Sequence, residues 1–207
     1  MIAIIDYDAG NIKSVEKALT AIGEEPVLTR DSHTILNAEK VILPGVGSFG
    51  DAMANLRRYG LVDVIRKVTA QGTPFLGICL GLQLLFERSE ETPGVDGLGI
   101  LKGEILRIPA ADGLKIPHMG WNSLKVTPGA ALFRGIAPEP YVYFVHSYYL
   151  KAEDPSIVAA TTEYGTQIHA SVESGNVFAC QFHPEKSSSV GLQILRNFAA
   201  VGREKEA

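Results

Sequence analysis

Pro74-Phe75-Leu76-Gly77-Ile78-Cys79-Leu80-Gly81-Leu82-Gln83 reads as a buried apolar strand that passes directly into a helix running to about Phe86. The same alternation surrounds it. Ile2–Ile5 is an apolar, β-branched run closed by Asp6, the pattern of a buried strand ending in a loop. Residues 14–22 place Val15, Ala18, Leu19 and Ile22 on one helical face, and Gly23 follows as a stop. Pro26–Thr29 and residues 41–43 read as strands, and residues 51–57 and 61–70 as helices. Strands alternating with helices predict a parallel sheet covered on both faces. The second half changes character. Residues 100–108, 122–126, 141–145, 157–161 and 167–172 read as strands. Glu173-Ser174-Gly175-Asn176 is a hairpin turn into a strand over 177–182. An amphipathic helix over 190–200 closes the chain, and Arg203-Glu204-Lys205-Glu206-Ala207 reads as a frayed charged tail. No repeat or linker interrupts this order. The expected fold is α/β: one domain over residues 1–207, with a central mixed, mostly parallel sheet flanked by helices and an antiparallel extension in the second half.

Bulk properties narrow the function classes. With 207 residues, 46% hydrophobic and 20% charged, the chain is expected to be globular. A net charge of -4 disfavours nonspecific nucleic-acid or anionic-membrane binding. The start, Met1 to Gly10, lacks the basic segment and long apolar run of a signal peptide. No stretch approaches the roughly 18 apolar residues of a membrane span. The two cysteines, Cys79 and Cys180, do not make a disulfide framework, and a reducing cytoplasm is expected. No close Cys/His spacing suggests a metal, and no cofactor is expected. Pro44-Gly45-Val46-Gly47-Ser48-Phe49-Gly50 lacks the Gly-Lys-Ser/Thr ending of a phosphate loop.

The chemistry concentrates at Gly77-Ile78-Cys79-Leu80-Gly81. A nucleophile on a sharp strand-to-helix turn has the form of a nucleophile elbow, and flanking glycines keep such a turn uncrowded. The helix N-terminus favours the reactive thiolate, and the Leu80 N–H can face a developing oxyanion. A nucleophilic cysteine needs a base. Of five histidines, His183 stands out, because His183-Pro184-Glu185 ends the apolar 177–182 strand. Two residues apart in extended chain, Glu185 can face the side His183 faces and orient its imidazole. Taken alone, the pentapeptide favours a nucleophile over an inert buried cysteine, and the tripeptide favours a surface His and Glu without contact over a paired base. His118, His146 and Cys180 are expected to be satisfied core residues.

The elbow followed far downstream by His183-Pro184-Glu185 resembles the triad-type (class I) glutamine amidotransferases. Within them, four stretches look like the glutaminases that serve imidazole glycerol phosphate synthases: Asp6-Tyr7-Asp8-Ala9-Gly10-Asn11, Leu43 to Phe49, Pro117-His118-Met119-Gly120-Trp121-Asn122, and Phe144-Val145-His146-Ser147-Tyr148-Tyr149. The likeness runs from Ile2 to about Phe198. It implies a class I amidotransferase-like fold and a Cys79–His183–Glu185 triad that hydrolyses L-glutamine through a glutamyl thioester. It also implies that Gln83, Glu91, Ser147 and Tyr148 bind glutamine. Bottom-up, Gln83 lies one turn past Cys79 and can face the same pocket. Without the resemblance, Glu91 reads as part of a solvated charge run.

Many members of the wider family have adjacent glycines after the proline of the oxyanion loop. Here Val46 separates Gly45 from Gly47. The expectation is an oxyanion hole, made by Val46, Gly47 and Leu80, that is incomplete at rest and completed when a partner binds its ligand. The resemblance implies that this partner is a (β/α)8-barrel cyclase forming a heterodimer. The cyclase would use the ammonia to make imidazole glycerol phosphate and an aminoimidazole carboxamide ribonucleotide in histidine biosynthesis. It places Asn11, Trp121, Tyr143 and Lys186 at the interface. By residue type alone, Trp121 fits a core as well as an interface anchor, and Lys186 fits open solvent. Competing readings are a glutaminase serving another pathway, a silent glutamine-binding subunit and a cysteine protease.

Overall fold

Ile2–Ile5, Lys40–Leu43, Phe75–Ile78 and Val177–Cys180 are buried along their whole length, as strands covered on both faces must be. The computed structural model describes residues 1–203 and shows how they assemble. In chain order the first half runs β1 (Ile2–Ile5), α1 (Ile12–Ala21), β2 (Pro26–Thr29), α2 (Ser32–Leu36), β3 (Lys40–Leu43), α3 (Phe49–Arg58), α4 (Leu61–Ala70), β4 (Phe75–Ile78) and α5 (Leu80–Leu84). The second half adds β5 (Arg88–Ser89), β6 (Gly103–Arg107), β7 (His118–Ser123), β8 (Lys125–Val126), β9 (Tyr141–His146), β10 (Tyr148–Ala152), β11 (Val158–Glu163), β12 (Gln167–Ser174), β13 (Val177–Cys180) and α6 (Ser188–Ala200).

The main sheet has eight strands in the order β2-β1-β3-β4-β13-β12-β11-β8. The first five are mutually parallel, and β12, β11 and β8 extend the sheet antiparallel. This is the mixed, mostly parallel α/β sheet with an antiparallel extension expected from the pattern. Strand alternation splits the core in two. Ala3, Ile5, Val41, Leu43 and Phe75 pack toward α3 and α4. Ile2, Ile4, Ile42, Leu76 and Ile78 pack toward α1 and α6. Two smaller sheets stand apart: β10-β6-β5, and an antiparallel ribbon of β7 and β9. Among the described residues no helix is long and apolar enough to cross a membrane.

Several boundaries depart from the sequence reading, each for a local reason. The helix after Cys79 stops at Leu84 rather than near Phe86. The returning chain takes its carbonyls: Leu98 N–H donates to Leu84 at 2.8 Å, Ile100 N–H to Leu85 at 2.9 Å and Gly99 N–H to Phe86 at 3.2 Å. The expected strand over 122–126 is two strands. The chain leaves the ribbon at Leu124, and β8 joins the main sheet against β11. The expected strand over 177–182 ends at Cys180, after which the His183 N–H donates to the Tyr143 carbonyl at 3.0 Å. Helix α2, capped by the Asp31 side chain, and strands β5 and β10 are additions that the sequence reading lacks. Arg203, expected in the frayed tail, pairs with Glu24 at 2.8 Å; the rest of that expectation, residues 204–207, lies outside the described residues.

Candidate active site

Cys79 sits between β4 and α5 at φ 55°, ψ −109°. A non-glycine residue in the left-handed region costs on the order of 1–3 kcal/mol, which the surrounding packing must over-determine. That packing is close. A β-carbon on Gly81 would lie 1.8 Å from the Leu43 carbonyl oxygen, and one on Gly77 would lie 2.7 Å from the Gly81 carbonyl oxygen. The Cys79 N–H donates to the Cys180 carbonyl at 2.8 Å, tying the turn to β13. Because α5 is only five residues long, it brings a weaker field to the sulfur than a helix to Phe86 would.

The loop after β13 brings His183 and Glu185 to the same place. Their side chains are 1% and 0% exposed, and the His183 Nδ1–H donates to Glu185 Oε1 at 2.7 Å. Asn11 Nδ2 donates to the same oxygen at 2.6 Å. His183 Nε2 is buried without an aligned hydrogen bond, but Cys79 couples to the ring. Burial alone would lower the His183 pKa; Cys79 and Glu185 outweigh it and raise the value to about 9. A solvated surface His–Glu pair is thereby excluded.

A cleft of about 440 Å³ opens above Cys79, lined among others by Val46, Gly47, Leu80, Gln83, Glu91, Ser147 and Tyr148. All the residues singled out for the oxyanion and for glutamine therefore share one cavity with Cys79. The Glu91 carboxylate accepts from the Phe49 N–H at 2.7 Å, so it is anchored at the start of α3 rather than solvated in a charge run. Gln83 is buried. Gly47 has φ +113°, a conformation that strains any other residue. The Leu80 N–H, expected to face an oxyanion, donates to the Gly45 carbonyl at 3.3 Å. In this structure that donor is committed to the loop after β3.

The four interface candidates divide. Trp121 is 54% exposed, which excludes a core role. It meets Tyr143, its cross-strand partner on the ribbon, edge to face at 6.2 Å. Lys186 is exposed just past the Glu185 turn. Asn11 differs, because its amide turns inward to Glu185. His118 and His146 are buried, and burial lowers their pKa values to about 4 and about 3. Cys180 is fully buried in the core, and burial pushes its thiol pKa up.

The glutamine amidotransferase class-I family model matches residues 3–201. The chain belongs to that family. It also groups with HisH subunits of imidazole glycerol phosphate synthases. It is 54% identical to the subunit from Thermosynechococcus vestitus, covering 98% of both chains. It is 54% identical to the one from Moorella thermoacetica, covering 98% of this chain and 95% of the relative. Among solved structures, PurLQS from Thermotoga maritima superposes with a TM-score of 0.74 at 25% identity, covering 96% of each chain. A crystal structure of a glutamine amidotransferase superposes with a TM-score of 0.75 at 22% identity, covering 96% of this chain and 97% of that one, and supports the fold.

Sequence reasoning did not single out two features of this amidotransferase site. Gln181, fully buried, points its Nε2 at Cys79 Sγ from 3.8 Å. It stands two residues before His183, as Glu185 stands two after, and that alternation was the available signal. His146, expected in the core, also lines the cleft. It contacts the Tyr148 carbonyl at 2.9 Å, and its other ring nitrogen contacts His118 at 3.0 Å.

Proposed function

We propose that this chain is the glutaminase subunit of an imidazole glycerol phosphate synthase. Cys79 is the nucleophile, His183 the acid–base residue and Glu185, steadied by Asn11, the residue that orients His183. The observation that carries the reading is the buried His183–Glu185 pair beside a cysteine held on a strained turn over one cleft. Cys79 gives its proton to His183 and attacks the carboxamide carbon of L-glutamine. The C–N bond breaks as His183 returns the proton to the leaving nitrogen, releasing ammonia and leaving a glutamyl thioester. Water then adds to the thioester, His183 takes its proton, and the C–S bond breaks to give glutamate. Gln83, Glu91, Ser147 and Tyr148 hold the substrate.

The ammonia passes to a (β/α)8-barrel cyclase docked over Trp121, Tyr143 and Lys186, with Asn11 at the margin. A sealed passage keeps it from protonation in water. The product side is imidazole glycerol phosphate and aminoimidazole carboxamide ribonucleotide, made in the cytoplasm. Reorientation at Val46–Gly47, driven by the cyclase ligand, completes the oxyanion hole. The engagement of Leu80 N–H by Gly45 supports an incomplete hole at rest.

Glutamate release by the purified chain, alone and with the cyclase plus its nucleotide ligand, tests this. Strong release only in the complex, lost in Cys79→Ala, is the expected result. Equal release by the isolated chain would remove the gating. No release by the complex would remove the glutaminase reading.

A further inference from the structure

A buried glutamine at the rim of an apolar core costs free energy unless its amide is used. Gln181 has no exposed surface and lies one residue past β13. Its amide spans from Gln83 to Cys79: Gln181 Oε1 accepts from Gln83 Nε2 at 3.0 Å, and Gln181 Nε2 lies 3.8 Å from Cys79 Sγ. Amide oxygen and nitrogen look alike in outline, so the direction of such a chain must come from its neighbours. Here one backbone atom decides it. The Tyr148 carbonyl can only accept, and it lies 3.1 Å from the Gln83 amide. Gln83 must therefore turn its NH2 toward Tyr148 and Gln181, using both hydrogens inward and leaving its oxygen for the cleft. Gln181 must then present oxygen to Gln83 and NH2 to sulfur. Neutral His146 donates its Nδ1–H to the same Tyr148 carbonyl, which holds that atom in place.

We infer that Gln181 donates a hydrogen bond to the Cys79 sulfur that favours its anionic form, and at the same time locks Gln83 with its oxygen facing the substrate's ammonium group. This inference rests on the glutaminase reading for the substrate, but not for the sulfur contact. Gln181 acts on the reacting sulfur directly and on the substrate through Gln83. The titratable groups near Cys79 include His183, with Glu185 behind it, Tyr7 after β1 and Cys180 in β13, and across the cleft Glu91, His146 and Tyr148. Burial raises the pKa values of Tyr7 and Cys180 and keeps both neutral, whereas His183 beside the sulfur has its pKa raised to about 9.

The test is the pH dependence of Cys79 alkylation by iodoacetamide in the full chain and in Gln181→Met and Gln181→Leu, which keep the volume and remove the amide. The alkylation midpoint is expected to rise by about one pH unit in either variant, the size of one lost hydrogen bond to a charged group. In the complex, KM for glutamine is expected to rise several-fold. A purely structural role would lower the unfolding midpoint and leave the alkylation profile in place, and that result overturns the inference. Should neither variant fold, the unmutated chain still decides. The side-chain amide proton signals of Gln181 must move with pH at the alkylation midpoint, and flat signals overturn the inference. Alkylation needs no glutamine, so its outcome is independent of whether the complex releases glutamate.

Discussion

A β-carbon placed on Gly81 would sit 1.8 Å from the Leu43 carbonyl oxygen, whereas Trp121 on the β7–β9 ribbon leaves 54% of its surface in water. The Cys79 turn is held by lack of space. Strands β3, β4 and β13 approach it from beneath, the Gly45 carbonyl meets it from the side, and nothing larger than hydrogen fits at Gly81. The ribbon leaves its outer face largely open, where Met119, Trp121 and Tyr141 are 62%, 54% and 61% exposed. Chemistry needs a sulfur placed to a fraction of an ångström, so its support is over-determined. The interface proposed for the ribbon would need accessible area instead, and its outer side chains are supported by cross-strand neighbours such as Tyr143 against Trp121.

The largest effect should come from filling the tight region. Gly81→Ala must displace β3 or α5, and a loss of stability of about 3 kcal/mol or more is expected in urea unfolding. A change within about 0.5 kcal/mol would mean that the turn has slack and would break the contrast.

The second concerns charge rather than volume. Burial acts to lower the His183 pKa, yet Cys79 and Glu185 raise it from 6.5 to about 9 in the folded chain. A pKa raised by folding stabilises the fold below the unfolded value. That stability is therefore complete below about pH 6.5 and is lost as pH rises through about 9. The shift sets an upper bound of about 3 kcal/mol, measured by urea unfolding between about pH 6 and pH 10. Glu185→Gln should move the loss to lower pH, and an unchanged pH slope would show that Glu185 does not hold the proton on His183.

The smallest effect on the chain itself should come from the ribbon. Trp121→Ala is expected to alter stability by no more than about 0.5 kcal/mol. If the proposed cyclase interface holds, the same change should weaken binding to that partner by about 2 kcal/mol in a titration, the size of losing an aromatic anchor. Large destabilisation with unchanged binding would reverse the assignment of the two regions.

Much of this was legible in order of residues. β1, β2 and α4 have the bounds that their apolar runs predict, because periodicity reports which faces must be buried. The parallel half follows from strands alternating with helices. The split of residues 118–126 between two sheets was not legible, since local pattern does not say which strand a segment will meet. The early stop of α5 at Leu84 depends on carbonyls taken by residues 98–101, which pattern does not register. Asn11 is placed at an interface by the resemblance alone, and only the approach of the loop after β13 turns its amide onto Glu185.

By itself, the sequence determined the α/β alternation, the turn at Cys79 and the candidates for its chemistry, because each is written in neighbouring residues. Only the tertiary structure decided that His183 and Glu185 are buried beside Cys79, that Leu80 N–H is held by Gly45, and that Gln181 joins Gln83 to the sulfur. Those contacts join segments far apart in the chain. Their distances are set by how β4 and β13 pair and by which backbone carbonyls remain to be satisfied, and no local residue pattern carries that information.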